Sequence, residues 1–199
     1  PTATLSIKYA ATSRLSQRAR ELFHDRYTPV QLAAERGQHE TVLALADAGV
    51  NLNTYSCLGE TPLGVAIIND HHDTVRVLVE KGANLNLLVG EGCHPLFLAS
   101  KVAADAGLVK LLVDGGADLS VRNRHGETPL HRAMGKDMNT EMAKLLINSG
   151  ADLGAKDNRG RTPRQVAAEY LKKATNQYAR TGPMGLYWID TRTFYNDMI

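Results

Sequence analysis

Apolar residues recur at intervals of three and four residues in four separate stretches of this 199-residue chain. Such spacing puts them on one side of an α-helix, since a helix completes a turn about every 3.6 residues. The pattern therefore predicts four short helices, each with one buried face. The residues of these faces are Val42, Leu43 and Leu45; Val75, Val77 and Leu78; Leu108, Leu111 and Leu112; and Met142, Leu145 and Leu146.

A second pattern divides the chain into units of nearly equal length. Pro follows Thr or His at five places, and the steps between these places are 33, 33, 34 and 34 residues. A Gly stands two positions before each of the last four pairs, and a Gly-(Ala/Val)-(Asn/Asp)-Leu segment recurs with the same period. Three markers that keep one register indicate a repeat protein. The five pairs are Thr28-Pro29, Thr61-Pro62, His94-Pro95, Thr128-Pro129 and Thr162-Pro163.

The residue types that mark the period are those that begin and end helices. A Thr side chain accepts hydrogen bonds from the unpaired N–H groups at a helix start, and Pro is tolerated in the first turn because its missing N–H would have no partner there. Gly takes the left-handed conformation that ends a helix or forms a tight turn. Each unit is therefore predicted to consist of a turn, two helices and a loop.

The best-preserved copy of the unit reads TPLHRA at residues 128–133, and TPLGVA at 61–66 and TPVQLAAERG at 28–37 are variants of it. This sequence resembles the Thr-Pro-Leu-His-x-Ala signature of the ankyrin repeat, and the resemblance covers roughly residues 24–170. It implies an all-α solenoid of about five helix-turn-helix repeats with projecting turns and helical caps. It also implies a surface that binds other proteins.

The two ends of the chain depart from the repeat. Residues 1–24 are expected to form an N-terminal arm and an amphipathic capping helix, and residues 25–170 the repeat array. Residues 171–199 are expected to extend the last helix and to add an aromatic tail that packs on the last repeat. Two alternatives for the tail stay open, a docking segment and the start of a following domain. Its aromatic residues are Tyr187, Trp188, Phe194 and Tyr195.

The stretch HGETPLHRA, residues 125–133, carries two histidines that suggest catalysis or metal binding at first sight. His131, however, occupies a repeat position that holds Gln31 in the first repeat, so we expect it to bond to the backbone of a neighbouring turn. The pair His71-His72 lies in a short exposed connection between helices, which argues against a metal site. No phosphate-binding glycine loop is present. We therefore predict no enzyme activity, no metal and no cofactor.

Composition narrows the class of protein without naming a partner. The formal net charge is +2, which is too small to indicate nucleic acid or membranes by itself. The chain has two cysteines, Cys57 and Cys93, so a disulfide framework is not expected and a reducing compartment, cytoplasm or nucleus, is favoured. No run of about 18 apolar residues is present, so the sequence predicts no membrane span. We expect a monomer.

The projecting turns and the ends of the first helices are expected to carry the binding surface. The first three repeats offer mixed, aromatic and apolar side chains there, whereas the last two are rich in Arg and Lys, which suit an acidic or phosphorylated partner segment. Nucleic acid is not favoured, because this basic half lacks aromatic residues for base stacking. The predicted partner-binding residues are Tyr27, Leu58, Glu60, Ile68, Arg124, His125, Lys136, Arg159, Arg161 and Tyr170.

From these residues we expect a scaffold or adaptor that binds a partner protein on the concave face of the solenoid. Tyr27, Leu58, Ile68 and Tyr170 would serve as apolar anchors, and the arginines would hold polar groups of the partner. The chain opens at Pro1 and closes with an aromatic tail. The alternative is therefore that the array is the regulatory or targeting domain of a larger enzyme or channel.

Overall fold

A computed structural model of the protein describes residues 27–90, 92–102, 106–135 and 139–181. Within these ranges the chain forms helices and turns, and the extended pairing consists of one isolated bridge between Val89 and Cys93. The predicted all-α repeat architecture is confirmed. The helices of the described ranges are α1 (Pro29–Glu35), α2 (His39–Asp47), α3 (Pro62–Ile68), α4 (His72–Glu80), α5 (Pro95–Val102), α6 (Gly107–Asp114), α7 (Pro129–Met134), α8 (Thr140–Asn148) and α9 (Pro163–Thr181).

The first helix of each repeat begins where the Thr-Pro pattern predicts. The hydroxyl of Thr61 accepts a hydrogen bond from the N–H of Gly64 at 3.1 Å, and the hydroxyls of Thr28 and Thr128 accept from the N–H three residues further on. Pro occupies the first helical turn in each case. These contacts satisfy N–H groups that have no partner within the helix, so the starts of the helices are set locally.

The helices form two layers that run the length of the array. The first helices of successive repeats, α1, α3, α5, α7 and α9, pack side by side in chain order, and so do the second helices, α2, α4, α6 and α8. Close packing of the first row follows from a buried alanine at the same position of every repeat, because a methyl group lets neighbouring backbones approach. These alanines are Ala33, Ala66, Ala99, Ala133 and Ala167.

The core lies between the two layers and is continuous along the stack. Larger apolar side chains of the second helices close it, and many of them are almost fully buried, whereas Leu45, Val77, Leu111 and Leu145 are partly buried against it. The apolar faces predicted from the sequence supply most of these residues, although Leu43 stays 37% exposed. Side chains of the second layer that are fully buried include Val42, Val75, Leu78, Leu108, Leu112 and Leu146.

Tight turns project from one edge of the stack between successive repeats. The glycine two positions before the Thr-Pro pair takes a left-handed conformation, with a φ of +73° at both Gly59 and Gly126. A side chain at Gly126 would also meet Asn158 of the next turn, so both the backbone angle and the available space require glycine here. The turns therefore lie close enough to bond to one another.

The carboxyl-terminal end differs from the repeats before it. Helix α9 has 19 residues, whereas the first helices upstream have six to eight. The predicted lengthening of the last helix is thus confirmed. The predicted N-terminal arm and capping helix, residues 1–24, and the aromatic tail after α9 lie outside the described residues. None of the helices that the structure describes combines the length and apolarity that a bilayer crossing requires.

Candidate interaction surface

His131 joins its repeat to the following turn. Its ring is 1% exposed, and its Nδ1 accepts a hydrogen bond from the N–H of Thr128 at 3.1 Å. The proton therefore lies on Nε2, which donates to the carbonyl oxygen of Arg161 at 2.9 Å. Both ring nitrogens are committed to backbone groups, so the predicted structural role of His131 is confirmed.

Gln31 makes the same connection in the first repeat with different atoms. Its Oε1 accepts from the N–H of Thr28 at 2.8 Å, and its Nε2 donates to the carbonyl oxygens of Thr54 and Glu60 at 2.9 and 3.0 Å. The side chain is fully buried. Two residue types thus perform one task, to tie the start of a first helix to the backbone of the next turn.

The second repeat has Gly64 at this position, and glycine has no side chain that could form such a hydrogen bond. A Cβ atom on Gly64 would lie 3.0 Å from the Cβ of Val89 and would overlap its Cγ1. Val89 belongs to the following turn and is 3% exposed. Its side chain therefore fills the space that an imidazole or an amide fills in the fourth and first repeats.

Most turns are held in shape by one polar side chain five positions before the Thr-Pro pair. The Oδ1 of Asn123 accepts from the N–H groups of His125 and Glu127 at 2.9 and 3.0 Å, and Asp157 makes the equivalent contacts in the last turn. Ser56 does so with its hydroxyl in the second repeat. These contacts fix the backbone that carries the exposed side chains, so the surface is preorganised.

Successive turns are also bonded to each other. The N–H of Gly90 donates to the carbonyl oxygen of Gly59 at 2.9 Å. Further along the stack, the N–H of Asn158 donates to the carbonyl oxygen of His125 at 3.0 Å. The turns before the second and third repeats are therefore bonded to each other, and so are the turns before the fourth and fifth. We expect side chains at equivalent positions to stand in register along this edge.

The predicted apolar residues at this edge fall into two groups. Leu58 and Ile68 are 43% and 44% exposed, as a contact surface requires. Tyr27 is half-buried, and its hydroxyl donates to the carboxylate of Glu60 at 2.7 Å, so these two predicted residues pair with each other across a repeat boundary. Tyr170 is also half-buried, because it packs against the core and the Lys173 ammonium lies 5.6 Å from its ring centre.

The predicted basic residues also differ in how accessible their charge is. Arg124, His125 and Arg159 are exposed on the turns of the last two repeats. The Nε of Arg124 donates to the Nε2 of His125 at 3.4 Å. Lys136 lies outside the described residues.

Arg161 is already paired with two carboxylates of its own chain. Its guanidinium contacts Asp157 at 2.7 Å and Glu169 of α9 at 2.5 Å. Burial raises the pKa of Asp157, but hydrogen bonds from the Arg161 and Arg159 backbones and from the Arg161 guanidinium outweigh it, so the net pKa lies below 3.8. The charge of Arg161 is therefore compensated, and of the three predicted arginines it is the least available to a partner.

The clusters that suggested chemistry are occupied by structural contacts. The Nε2 of His71 lies 2.9 Å from the carbonyl oxygen of Glu35, and His71 is half-buried and not fully exposed as expected, because its ring packs on Gly37. His72 pairs with Asp70 instead. Among the described residues no group of His, Cys, Asp or Glu could hold a metal ion, and Cys57 and Cys93 form no disulfide.

Two exposed apolar residues of the edge were missed from the sequence. Tyr55 and Leu88 are 51% and 47% exposed, and both stand six positions before a Thr-Pro or His-Pro pair. Arg122 and Lys156 hold the same position in the next two turns and are exposed as well. Counting backwards from each pair to this position would have found Tyr55 and Leu88, because the repeat register carries over to the turns.

Comparison with known proteins agrees with this geometry. A family model described as ankyrin repeats (3 copies) matches residues 7–88 and again residues 95–178. The chain belongs to the ankyrin-repeat family. Ankyrin repeats generally mediate protein–protein interactions and are typically not catalytic. No curated protein matches this chain.

Proposed function

We propose that this protein is a scaffold or adaptor that binds a partner protein on the concave face of the repeat stack, along the edge formed by the projecting turns and the ends of the first helices. The proposed role of this face is to bind a partner and not to catalyse a reaction. Its apolar part lies at repeats two and three and its basic part at repeats four and five. The expected monomeric state remains a prediction that sedimentation would check.

The uneven distribution of exposed apolar side chains is the observation that carries the proposal. Six large apolar side chains of the described residues are exposed, and four of them lie on the turns and first helix between residues 55 and 88. Exposed apolar residues that gather on one surface mark interaction sites more often than scattered ones do. The four residues are Tyr55, Leu58, Ile68 and Leu88.

The basic part of the edge extends this surface and supports an acidic or phosphorylated partner segment. Arg124 and Arg159 project from turns whose backbones are fixed by Asn123 and Asp157. Rigid placement reduces the entropy that an arginine loses on binding, and its planar guanidinium can contact a carboxylate or a phosphate through two bonds. Arg161 contributes less, because Asp157 and Glu169 already neutralise it.

Differential capture from an extract of the source cells tests the proposal. The edge variant carries Leu58→Ser, Arg124→Glu and Arg159→Glu. The matched control carries Leu43→Ser, Lys110→Glu and Lys144→Glu on the second helices, which lie away from the turns. Because all six positions are exposed or half-exposed, both variants should stay folded. Circular dichroism melting curves would check this.

We expect proteins that are captured by the wild type to be retained by the control and lost by the edge variant. Capture that survives the edge variant, or that is lost equally in the control, would place the binding surface elsewhere. Raised salt should weaken the interaction of the wild type, since exposed charges are screened.

A further inference from the structure

One position of the repeat forms a line of exposed side chains along the edge. It stands six residues before each Thr-Pro or His-Pro pair, and it is occupied in successive turns by Tyr55, Leu88, Arg122 and Lys156. We call these four residues the turn ladder. Tyr55 and Leu88 are about half exposed, and both basic residues are exposed. The chemistry of the ladder thus changes once, from apolar to basic, between the third and the fourth repeats.

The spacing of the turn ladder is set by helix packing. Neighbouring helices pack at about 8–10 Å, and the first helices of successive repeats are neighbours. An extended peptide in the polyproline II conformation advances about 3.1 Å per residue and returns every third side chain to the same face, so roughly three of its residues span one step. The whole ladder of three steps therefore matches an extended segment of about ten residues.

The basic half of the ladder carries charge that is not neutralised by an ion pair with any of the residues that the structure describes. The Nη1 of Arg122 donates to the carbonyl oxygens of Gly126 and Lys156 at 3.3 and 2.6 Å. These bonds orient the guanidinium but leave its positive charge in place. Neither Arg122 nor the other basic residues of these two turns, Arg124, Lys156 and Arg159, forms an ion pair with a residue that the structure describes.

The arrangement of these cations favours carboxylates over phosphates. A phosphate group is held by several donors that converge on one point. Here the cations are distributed along two successive turns, one ladder position in each, and the guanidinium of Arg122 is held against the protein's own carbonyl groups. Single charges spread along a line complement an extended segment with acidic side chains at intervals. The sequence from residue 106 to residue 162 contains no Phe, Tyr or Trp, so stacking of nucleic-acid bases has no support there.

On the basis of the proposed function, we infer that the turn ladder binds an extended protein segment that is apolar at one end and acidic at the other. Two apolar residues about three positions apart contact Tyr55 and Leu88, and two Asp or Glu residues with the same spacing contact Arg122 and Lys156. The register of the repeats thus fixes the pattern of the partner: apolar, two intervening residues, apolar, two, acidic, two, acidic. The ladder is compatible with either chain direction.

Selection from a random 12-residue peptide library displayed on phage tests this inference on the full chain. We expect the enriched peptides to carry the pattern in one of the two directions. Enriched peptides without it, or a selection that yields no binder, would overturn the inference. The capture experiment on the edge variant judges the proposed function separately, because that variant leaves all four ladder residues in place.

Two ladder variants measure the contribution of each half to the affinity of a synthetic peptide with the selected pattern. Lys156→Glu reverses a charge while it retains the carbonyl group that Arg122 contacts, so the turn should stay intact. Leu88→Ser removes an exposed apolar contact. Each is expected to weaken binding by about tenfold or more, and a Lys in place of the contacting acidic residue should restore binding to Lys156→Glu. Lys144→Glu is the matched control on α8 and should leave the affinity unchanged.

Unchanged affinity in both ladder variants, or no rescue by the Lys-containing peptide, would contradict the inference. Substitution of phosphoserine for the acidic residues is expected to change affinity by less than about threefold, since the cations do not converge. A gain of about tenfold or more would show a phosphate site instead. Displacement of the peptide by an equal concentration of a single-stranded oligothymidine would assign the edge to nucleic acid and would also overturn it.

Discussion

The first and fourth repeats differ from the second in how they attach to the turn that follows. Gln31 and His131 reach the backbone of that turn through hydrogen bonds at 2.9–3.0 Å. In the second repeat the same space is filled by Val89, which reaches back over Gly64. The same space is thus filled in two repeats by a polar side chain that reaches from the first helix to the next turn. In one repeat it is filled by an apolar side chain that reaches from the turn to the helix.

The turn of the third repeat shows why the apolar attachment requires two residues to differ from the other repeats, one on the helix and one on the turn. Asn123 and Asp157 hold their turns with a side-chain oxygen, and Val89 stands at the same position without an acceptor. The bond from the N–H of Val89 to the carbonyl oxygen of Cys93, at 2.8 Å, has a counterpart in the other three turns, but here the N–H of Cys93 donates to the carbonyl oxygen of Val89, at 3.1 Å, and not to a side-chain oxygen. A valine on the turn therefore goes with a glycine on the preceding helix, because a larger residue at Gly64 would compete for the same space.

The largest effect is expected where the polar attachment is removed. His131→Ala leaves the buried N–H of Thr128 without its side-chain partner and removes one of the two donors to the carbonyl oxygen of Arg161, which keeps the N–H of Asp157, and it opens a cavity. We expect the free energy of unfolding to fall by about 3 kcal/mol in urea titration. His131→Gln is the control, since Gln31 makes these contacts in the first repeat, and it should cost less than about 1 kcal/mol. An equal loss in both variants would show that these hydrogen bonds do not account for the contribution of His131 to the free energy of unfolding.

Substitutions at the apolar attachment are expected to lower the free energy of unfolding by nearly as much. At Gly64 the cause is overpacking and not the loss of a hydrogen bond. Gly64→Ala places a methyl group against Val89, which a β-branched side chain in a packed site cannot easily avoid, and should cost about 2 kcal/mol in the same titration. Val89→Ala should also destabilise, by about 1–3 kcal/mol, because it leaves a void.

The double variant Gly64→Ala, Val89→Ala sharpens this prediction. The new methyl group occupies part of the space that the valine vacates, so the combined loss should be smaller than the sum of the single losses by about 1 kcal/mol. Strict additivity would indicate that the two side chains do not share this space and that the comparison of the two attachments is wrong.

A smaller effect is expected at the last turn, where the side chain that accepts the backbone hydrogen bonds, Asp157, is charged. Asp157→Asn keeps the oxygen that accepts from the N–H groups of Arg159 and Arg161, as Asn123 does one repeat earlier, but removes the ion pair with the Arg161 guanidinium. We expect a loss of about 1 kcal/mol at neutral pH, from melting curves analysed at several pH values.

The pH dependence of this loss has a definite sign. The pKa of Asp157 is lower in the folded protein than its ordinary value of 3.8, because the hydrogen bonds and charge of Arg161 outweigh burial. Its contribution is therefore complete above pH 3.8 and disappears as the pH falls through the lower folded pKa. The difference between wild type and Asp157→Asn should shrink as the pH falls below 3.8, and a difference that stays constant as the protein is titrated further into acid would contradict the prediction.

Much of the fold could be predicted from residues that act on their own neighbours. Thr61 and Pro62 set a helix start through a contact three residues away, and Gly59 permits a backbone angle that other residues disfavour. Such effects are local, so they appear in the sequence with the period of the repeat. The structural role of His131 followed from the same register, because the position it shares with Gln31 cannot require a unique chemistry.

The candidate surface was less predictable, since availability depends on contacts between distant parts of the chain. Arg159 and Arg161 stand two residues apart in one turn and are equivalent in the sequence. Only the structure shows that α9 brings Glu169 to Arg161 and that Asp157 beside it is buried, whereas Arg159 remains exposed. The same holds for Tyr27, whose hydroxyl is engaged by Glu60 of the next repeat.

The sequence by itself determined the number of residues in a repeat, the starts of the first helices and the class of protein, because caps, glycines and helical periodicity operate within a few residues. Tertiary structure decided which charges remain available, and how Gly64 and Val89 replace a hydrogen-bonded attachment. These outcomes depend on which side chains meet across a repeat boundary, about 30 residues apart in the chain, and short-range preferences do not encode such meetings.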